Sequence, residues 1–209
     1  LYESKSRILR EQTPGMLAVL PEFNQQMAVN GAVLIRYRAQ YVQRLNQLAG
    51  DYHRSCSGGA EELTLTYQTV SSVQDPFGDL HRIYQWLREH QDSHEQAELE
   101  SRRCLSGPHK DDFEVLLGGR SLKSFGSQGQ TRTAAIALKL SEREIARRDT
   151  GEEPVLLLDD VLSELDKNRQ DVILNELKTG QVFITCCETD KVTTAGRRFT
   201  IKEGVVHNV

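Results

Sequence analysis

The residues with most chemical promise lie at Val155-Leu156-Leu157-Leu158-Asp159-Asp160, an apolar run that ends in two carboxylates. A run of this kind predicts a strand buried on both faces, and in a parallel sheet its carboxyl edge is where ligands bind. The first acid could hold Mg²⁺ directly or through water, and the second could orient or deprotonate an attacking water in phosphoryl transfer. The same residues also fit a buried strand capped by solvated acids. Ser163-Glu164-Leu165-Asp166 follows, and Ser163 or Asp166 can cap a helix starting at Lys167.

Upstream, Gly126-Ser127-Gln128-Gly129-Gln130 precedes a helix rich in small residues, Ala134, Ala135 and Ala137. Backbone N–H groups and a serine hydroxyl at a helix N-terminus form an anion site, and a glycine there lets phosphate approach the main chain. A flexible glycine loop with a serine cap is the alternative.

Around these motifs the chain falls into two parts. Residues 1–104 are helical in pattern. Pro14 should end or restart a helix; Leu34, Tyr41, Leu45, Leu48 and Tyr52 recur at helical spacing; and Ser55 to Gly59 stops that helix. Leu63, Leu65 and Tyr67 alternate with threonines as in a half-buried strand. After the Asp75-Pro76 turn a helix carries Leu80, Ile83, Trp86 and Leu87, with a polar tail to about Glu100 that reads as solvated. From about Leu105 short apolar runs alternate with helices, the rhythm of an α/β sheet with crossover connections. Strands are expected at Phe113 to Leu117, Val155 to Leu158 and Val182 to Thr185, the last also buried. Helices are expected at Thr131 to Arg148 and Lys167 to Leu177, and a hairpin turns at Glu203-Gly204.

Composition bounds what the chain can do. Its 209 residues carry a net charge of −4, so any DNA contact needs a local patch rather than overall basicity. Nowhere do 18 apolar residues run together, and the first 20 lack a secretory-signal layout, so no membrane partner is expected. Cys56, Cys104, Cys186 and Cys187 show no paired zinc spacing. They fit buried thiols in a reducing cytosol, with Cys186 and Cys187 as small core residues. Arg36, Arg38, Arg44 and Arg54 are interleaved along the long helix, where they could line DNA or simply be solvated.

The order of loop, helix, acid-tipped strand of Walker B form, Ser-x-x-Asp, helix and further strand resembles the C-terminal half of an ABC-type ATPase head. Gly126 to Gln130 stands in the place of that group's signature loop and Ser163 to Asp166 in that of its D-loop. More narrowly, the chain resembles the RecF family. The likeness rests on Gly107-Pro108-His109-Lys110-Asp111-Asp112, on Phe125-Gly126-Ser127-Gln128-Gly129-Gln130-Thr131-Arg132-Thr133, and on Leu156 through Asp166. These motifs cover residues 105–209; residues 1–104 resemble the family's arm domain in helical layout and isolated strand.

The resemblance implies a C-terminal head lobe, a mostly parallel sheet with helices, joined to a mainly helical arm. It implies ATP and Mg²⁺ as cofactors, Asp159 as the metal ligand, Asp160 as the catalytic acid, and Ser163 and Asp166 as D-loop residues linking subunits. Ser127, Gln128, Gly129 and Gln130 would contact a partner subunit's nucleotide, so ATP would drive a homodimer. It further implies a clamp on duplex DNA near single-strand gaps, working with RecR and RecO to load RecA. There are two departures. The chain has no Gly-Lys pair and hence no P-loop, so it reads as a fragment that would not hydrolyse ATP alone. Where many ABC heads carry a histidine, it has Phe183-Ile184-Thr185-Cys186, which implies slow turnover. Another chromosome-maintenance ATPase head would show sustained heptads, absent here. A non-catalytic protein-interaction module would show no nucleotide response.

Overall fold

The computed structural model describes residues 1–59, 61–161, 165–177, 179–187 and 196–208. Helix α1 (Tyr2–Glu11) ends at Gln12 in the left-handed region, and α2 (Pro14–Cys56) starts with Pro14, whose fixed φ suits a first helical turn. At 43 residues α2 is about 65 Å long, well beyond the stretch expected from periodicity. It runs through Pro21, which cannot donate a helix hydrogen bond. Burial of Leu20 and Met27 against Ile8, Leu9 and Cys104 offsets that loss.

Strand β1 (Leu63–Gln68) lies on α2, buries Leu63 and Leu65, and donates the Leu65 N–H to Asn46 Oδ1 of that helix at 2.7 Å. Asp79 caps α3 (Leu80–Ser101) by accepting from the N–H groups of His81 and Arg82. The tail of α3, expected to be solvated, instead buries Gln91 and Glu98. Both have polar partners there: Arg88 donates to Gln91 Oε1 at 3.1 Å, and Glu98 takes Lys5 and two main-chain N–H groups.

A short 3₁₀ turn (Pro108–Lys110) leads into β2 (Asp112–Leu117), which pairs antiparallel with β1, Leu65 opposite Val115, and with β3 (Arg120–Ser121). The boundary expected at Leu105 therefore cuts through a three-stranded sheet. It also cuts a hydrophobic cluster in which Val42, Leu45, Leu63 and Leu65 meet Leu122, Ala134 and Ala137. The chain is mixed α/β, but this sheet is antiparallel.

After α4 (Leu122–Phe125), α5 (Gln128–Thr150) packs along α2. Strands β4 (Leu156–Asp159) and β5 (Val182–Thr185) form the parallel pair, with α6 (Lys167–Glu176) between them in sequence. Leu156 and Leu158 point into a cluster with Ile136, Leu140 and Ile173. Burial on both faces does not hold: Leu157 is 71% exposed and its neighbour Phe183 51% exposed, because among the described residues helices cover only one face of the pair. Cys186 and Cys187, just past β5, are exposed rather than core, whereas Cys56 and Cys104 are buried. A hairpin of β6 (Phe199–Lys202) and β7 (Val205–Asn208) turns at Glu203 and Gly204, both with positive φ as a two-residue turn of this kind requires. Among the described residues no helix is long and apolar enough to cross a membrane.

Candidate functional site

The loop expected at Gly126 to Gln130 is shorter than its sequence suggests. Only Gly126 and Ser127 precede the helix; Gln128, Gly129 and Gln130 form the first turn of α5. Ser127 Oγ accepts from the Gln130 N–H at 3.2 Å, while Gln130 Oε1 accepts from the Ser127 N–H at 2.9 Å, a reciprocal capping box. Thr131 Oγ1 donates to the Ser127 carbonyl and Thr133 Oγ1 to that of Gly129. Ser127 and Gln128 face solvent. First-turn N–H groups such as those of Gln128 and Gly129 have no intrahelical acceptor, and the helix end carries partial positive charge. This end can take an anion.

The acid pair sits at the carboxyl end of the parallel strands. Asp159 lies opposite Thr185, whose Oγ1 donates to Asp159 Oδ1. The Asp160 N–H donates to the Thr185 carbonyl and hydroxyl at 3.2 and 3.0 Å, which holds Asp160 at a φ of 50°. Thr185 is thus a site residue whose role motif reading missed; the sequence marked it only as part of the stretch that lacks a histidine at the end of the second strand. Both carboxylates are exposed. Among the described residues no three His, Cys, Asp or Glu side chains converge as a metal cage. The all-oxygen donors here do suit a cation such as Mg²⁺, which keeps waters and takes one or two carboxylates plus phosphate.

Asp166 caps α6, accepting from the Arg169 N–H at 3.0 Å and pairing with Arg169 Nε at 3.4 Å. Ser163 lies outside the described residues. Arg169 joins the two motifs, since its Nη1 stands 3.0 Å from where a side chain on Gly129 would begin.

The Gly107 to Asp112 motif builds a different place. Asp111, buried to 1% exposure, accepts from Tyr67 Oη at 2.5 Å and Thr69 Oγ1 at 2.7 Å, and pairs with Arg38 at 3.2 Å. Burial first, and then the adjoining carboxylate, push the Tyr67 phenol far above its usual pKa. His109 Nε2 lies 3.1 Å from the Cys104 carbonyl, its ring 4.5 Å from that of Tyr2, and burial lowers its pKa. Lys110 is exposed.

Of the arginines considered for DNA, Arg38 is committed to Asp111 and the Pro108 carbonyl. Arg44 makes a two-pronged pair with Asp149 at 3.0 and 2.6 Å. Arg36 is half-buried. Carboxylates on neighbouring elements, invisible to helix periodicity, neutralise the first two.

No family model matches the chain. It is 34% identical over 212 residues to the DNA replication and repair protein RecF of Clostridium kluyveri, covering 99% of this chain and 56% of that protein. It is 40% identical over 185 residues to that of Bacillus subtilis, covering 88% and 49%. Among solved structures, the recombination mediator protein RecF-ATPrS in the RecFOR pathway aligns with a TM-score of 0.85 at 33% identity, over 100% of this chain and 56% of that one. The corresponding RecF-ATP structure aligns with 0.84 at 32% identity, over 100% and 55%. The chain spans about half the length of the curated relatives it matches.

Proposed function

We propose, from the premise that this chain belongs to the RecF family over the half of those proteins that it spans, that it supplies the signature-loop side of a nucleotide site shared between two subunits. The observation that carries this reading is the exposed, Ser127-capped first turn of α5. It offers a hydroxyl and N–H groups with no intrahelical acceptor, while the sequence carries no Gly-Lys pair of a P-loop to hold a whole nucleotide. In the intact protein, Ser127, Gln128 and Gly129 contact the γ-phosphate of a nucleotide held by the partner, and Gln130, whose N–H and amide are taken up in the capping box, holds that turn in place. ATP then stabilises the closed homodimer because its phosphate bridges both subunits, and hydrolysis removes that bridge.

Asp159, steadied by the Thr185 hydroxyl, would hold Mg²⁺, whose charge would offset that of the phosphates. Asp160, fixed through its main-chain N–H, orients the attacking water. Asp166 and Arg169 link the D-loop to Gly129 and carry the state of one site toward the other. The closed dimer clamps duplex DNA near single-strand gaps and, with RecR and RecO, helps load RecA. The RecF name shared by the relatives and the RecFOR setting of the solved neighbours support this part of the reading.

The test is calorimetry and light scattering on the intact protein with magnesium. ATP should bind and produce a dimer; Asp160→Asn should keep ATP-driven dimerisation and lose hydrolysis. Absence of nucleotide uptake by the wild type overturns the reading.

A further inference from the structure

Glu61 belongs to none of the motifs above. It lies between α2 and β1, yet its Oε1 accepts from Gln130 Nε2 at 2.7 Å, 69 residues along the chain. Its Oε2 is buried without a hydrogen bond and faces His53 Nε2 at 3.7 Å. His53, in the last turn of α2, is fully buried, and neither ring nitrogen makes a hydrogen bond of normal geometry. A carboxylate is thus wedged between the arm helix and the first turn of α5.

The Gln130 amide is used at both ends, with Oε1 on the Ser127 N–H and Nε2 on Glu61. A side-chain amide can rotate to exchange its oxygen and nitrogen, and only the oxygen can cap an N–H. A carboxylate accepts and cannot donate, so beside Nε2 it permits one of the two orientations. We infer that Glu61 is a positioning residue for the signature loop: it locks the Gln130 amide so that the capping box stays closed and the Ser127 hydroxyl is presented to phosphate. The assignment rests on the shared nucleotide site proposed above.

In the intact protein, Glu61→Ala should raise the ATP concentration for half-maximal dimerisation about ten-fold, the scale of one charge-assisted hydrogen bond. Glu61→Gln keeps an acceptor for Gln130, but its own amide can also turn and donate, so its half-point should lie between wild type and Glu61→Ala. Hydrogen exchange at Ser127 should quicken most in Glu61→Ala and less in Glu61→Gln. A contact that merely stabilised the fold would shift the melting midpoint and leave the ATP half-point in place. If Glu61→Ala does not melt cooperatively, Glu61→Ser takes its place, with the same expectation.

An unchanged ATP half-point in the Ala or Ser variant, with a responsive wild type, overturns this assignment alone. A wild type that ignores ATP overturns the shared site and the assignment with it, and exchange at Ser127 then reports only whether Glu61 holds the loop.

Discussion

The Lys5 ammonium meets the Glu98 carboxylate at 2.6 Å, with both side chains almost wholly withdrawn from solvent. The other Glu98 oxygen accepts the main-chain N–H groups of Leu105 and Ser106 at 2.6 and 3.1 Å. One side chain therefore joins α1, α3 and the turn that leads to Asp111. Breaking a buried pair strands a charge at a cost of about 3–5 kcal/mol. Lys5→Met leaves Glu98 two donors, whereas Glu98→Gln leaves the ammonium without its counter-charge. Urea denaturation should rank Glu98→Gln as the more damaging, and Lys5→Met/Glu98→Leu should recover part of the loss.

Asp111 should behave as a structural hub. Asp111→Ala removes the acceptor for Tyr67, Thr69 and Arg38 at once. It should cost at least about 3 kcal/mol in the same assay, the scale of a buried charged partner. Lys110→Ala, an exposed change next door, should fall within about 0.5 kcal/mol of wild type.

Two changes at the start of α5, one at its cap and one in its first turn, should separate stability from ligand response. Ser127→Ala removes the cap and should cost about 1 kcal/mol. In Gly129→Ala the new methyl meets only the flexible end of Arg169, at 3.0 Å, and alanine suits a helix better than glycine. Its melting midpoint should stay near wild type, while its ATP-driven dimerisation weakens because the methyl stands where phosphate must approach.

Acid should destabilise the fold through two windows of the same sign. Burial is the main cause lowering the pKa of His53, His90 and His109 from 6.5. Glu61 and Arg169 face the first; His94 and Glu98 the second; Lys5, Lys110 and Glu98 the third. The unfolded chain takes up these protons first, so stability falls as pH drops below about 6.5. Glu144, lowered from 4.5 to about 2 by hydrogen bonding to Arg147 and then Arg148, loses its contribution as pH falls through that lower range. Urea midpoints should decline from pH 7 to 5; a flat profile contradicts the assignment.

Thiol labelling should divide the cysteines. At pH 8 a maleimide should modify Cys186 and Cys187 in the folded protein. Cys104, whose thiol is pushed up to about 11 chiefly by burial, and buried Cys56 should react only after unfolding.

Local chemistry was legible in the sequence where neighbours in the chain decide it. The Pro14 restart, the stop near Gly58 and Gly59, the Asp166 cap and the Glu203-Gly204 hairpin all follow from backbone preferences of the residues present. What escaped depends on partners distant in sequence. Leu157 has the composition of a buried strand residue, but burial depends on what covers the second face. Glu98 looked solvated because its partner Lys5 lies at the other end of the helical region, far beyond any helical period; only the tertiary fold brings the two together. Glu61 and Thr185 carry no motif of their own, and their parts in the site come from 69- and 26-residue separations closed by tertiary structure.

Helix α2 contributes side chains to each of the four hydrophobic clusters: Leu20 and Met27, Ala28 and Ile35, Val42 and Leu45, and finally Cys56. These clusters have no independent foundation, since each loses a wall if the helix frays. The polypeptide should therefore denature as a single cooperative unit, with far-ultraviolet circular dichroism and Trp86 fluorescence tracing one superimposable curve.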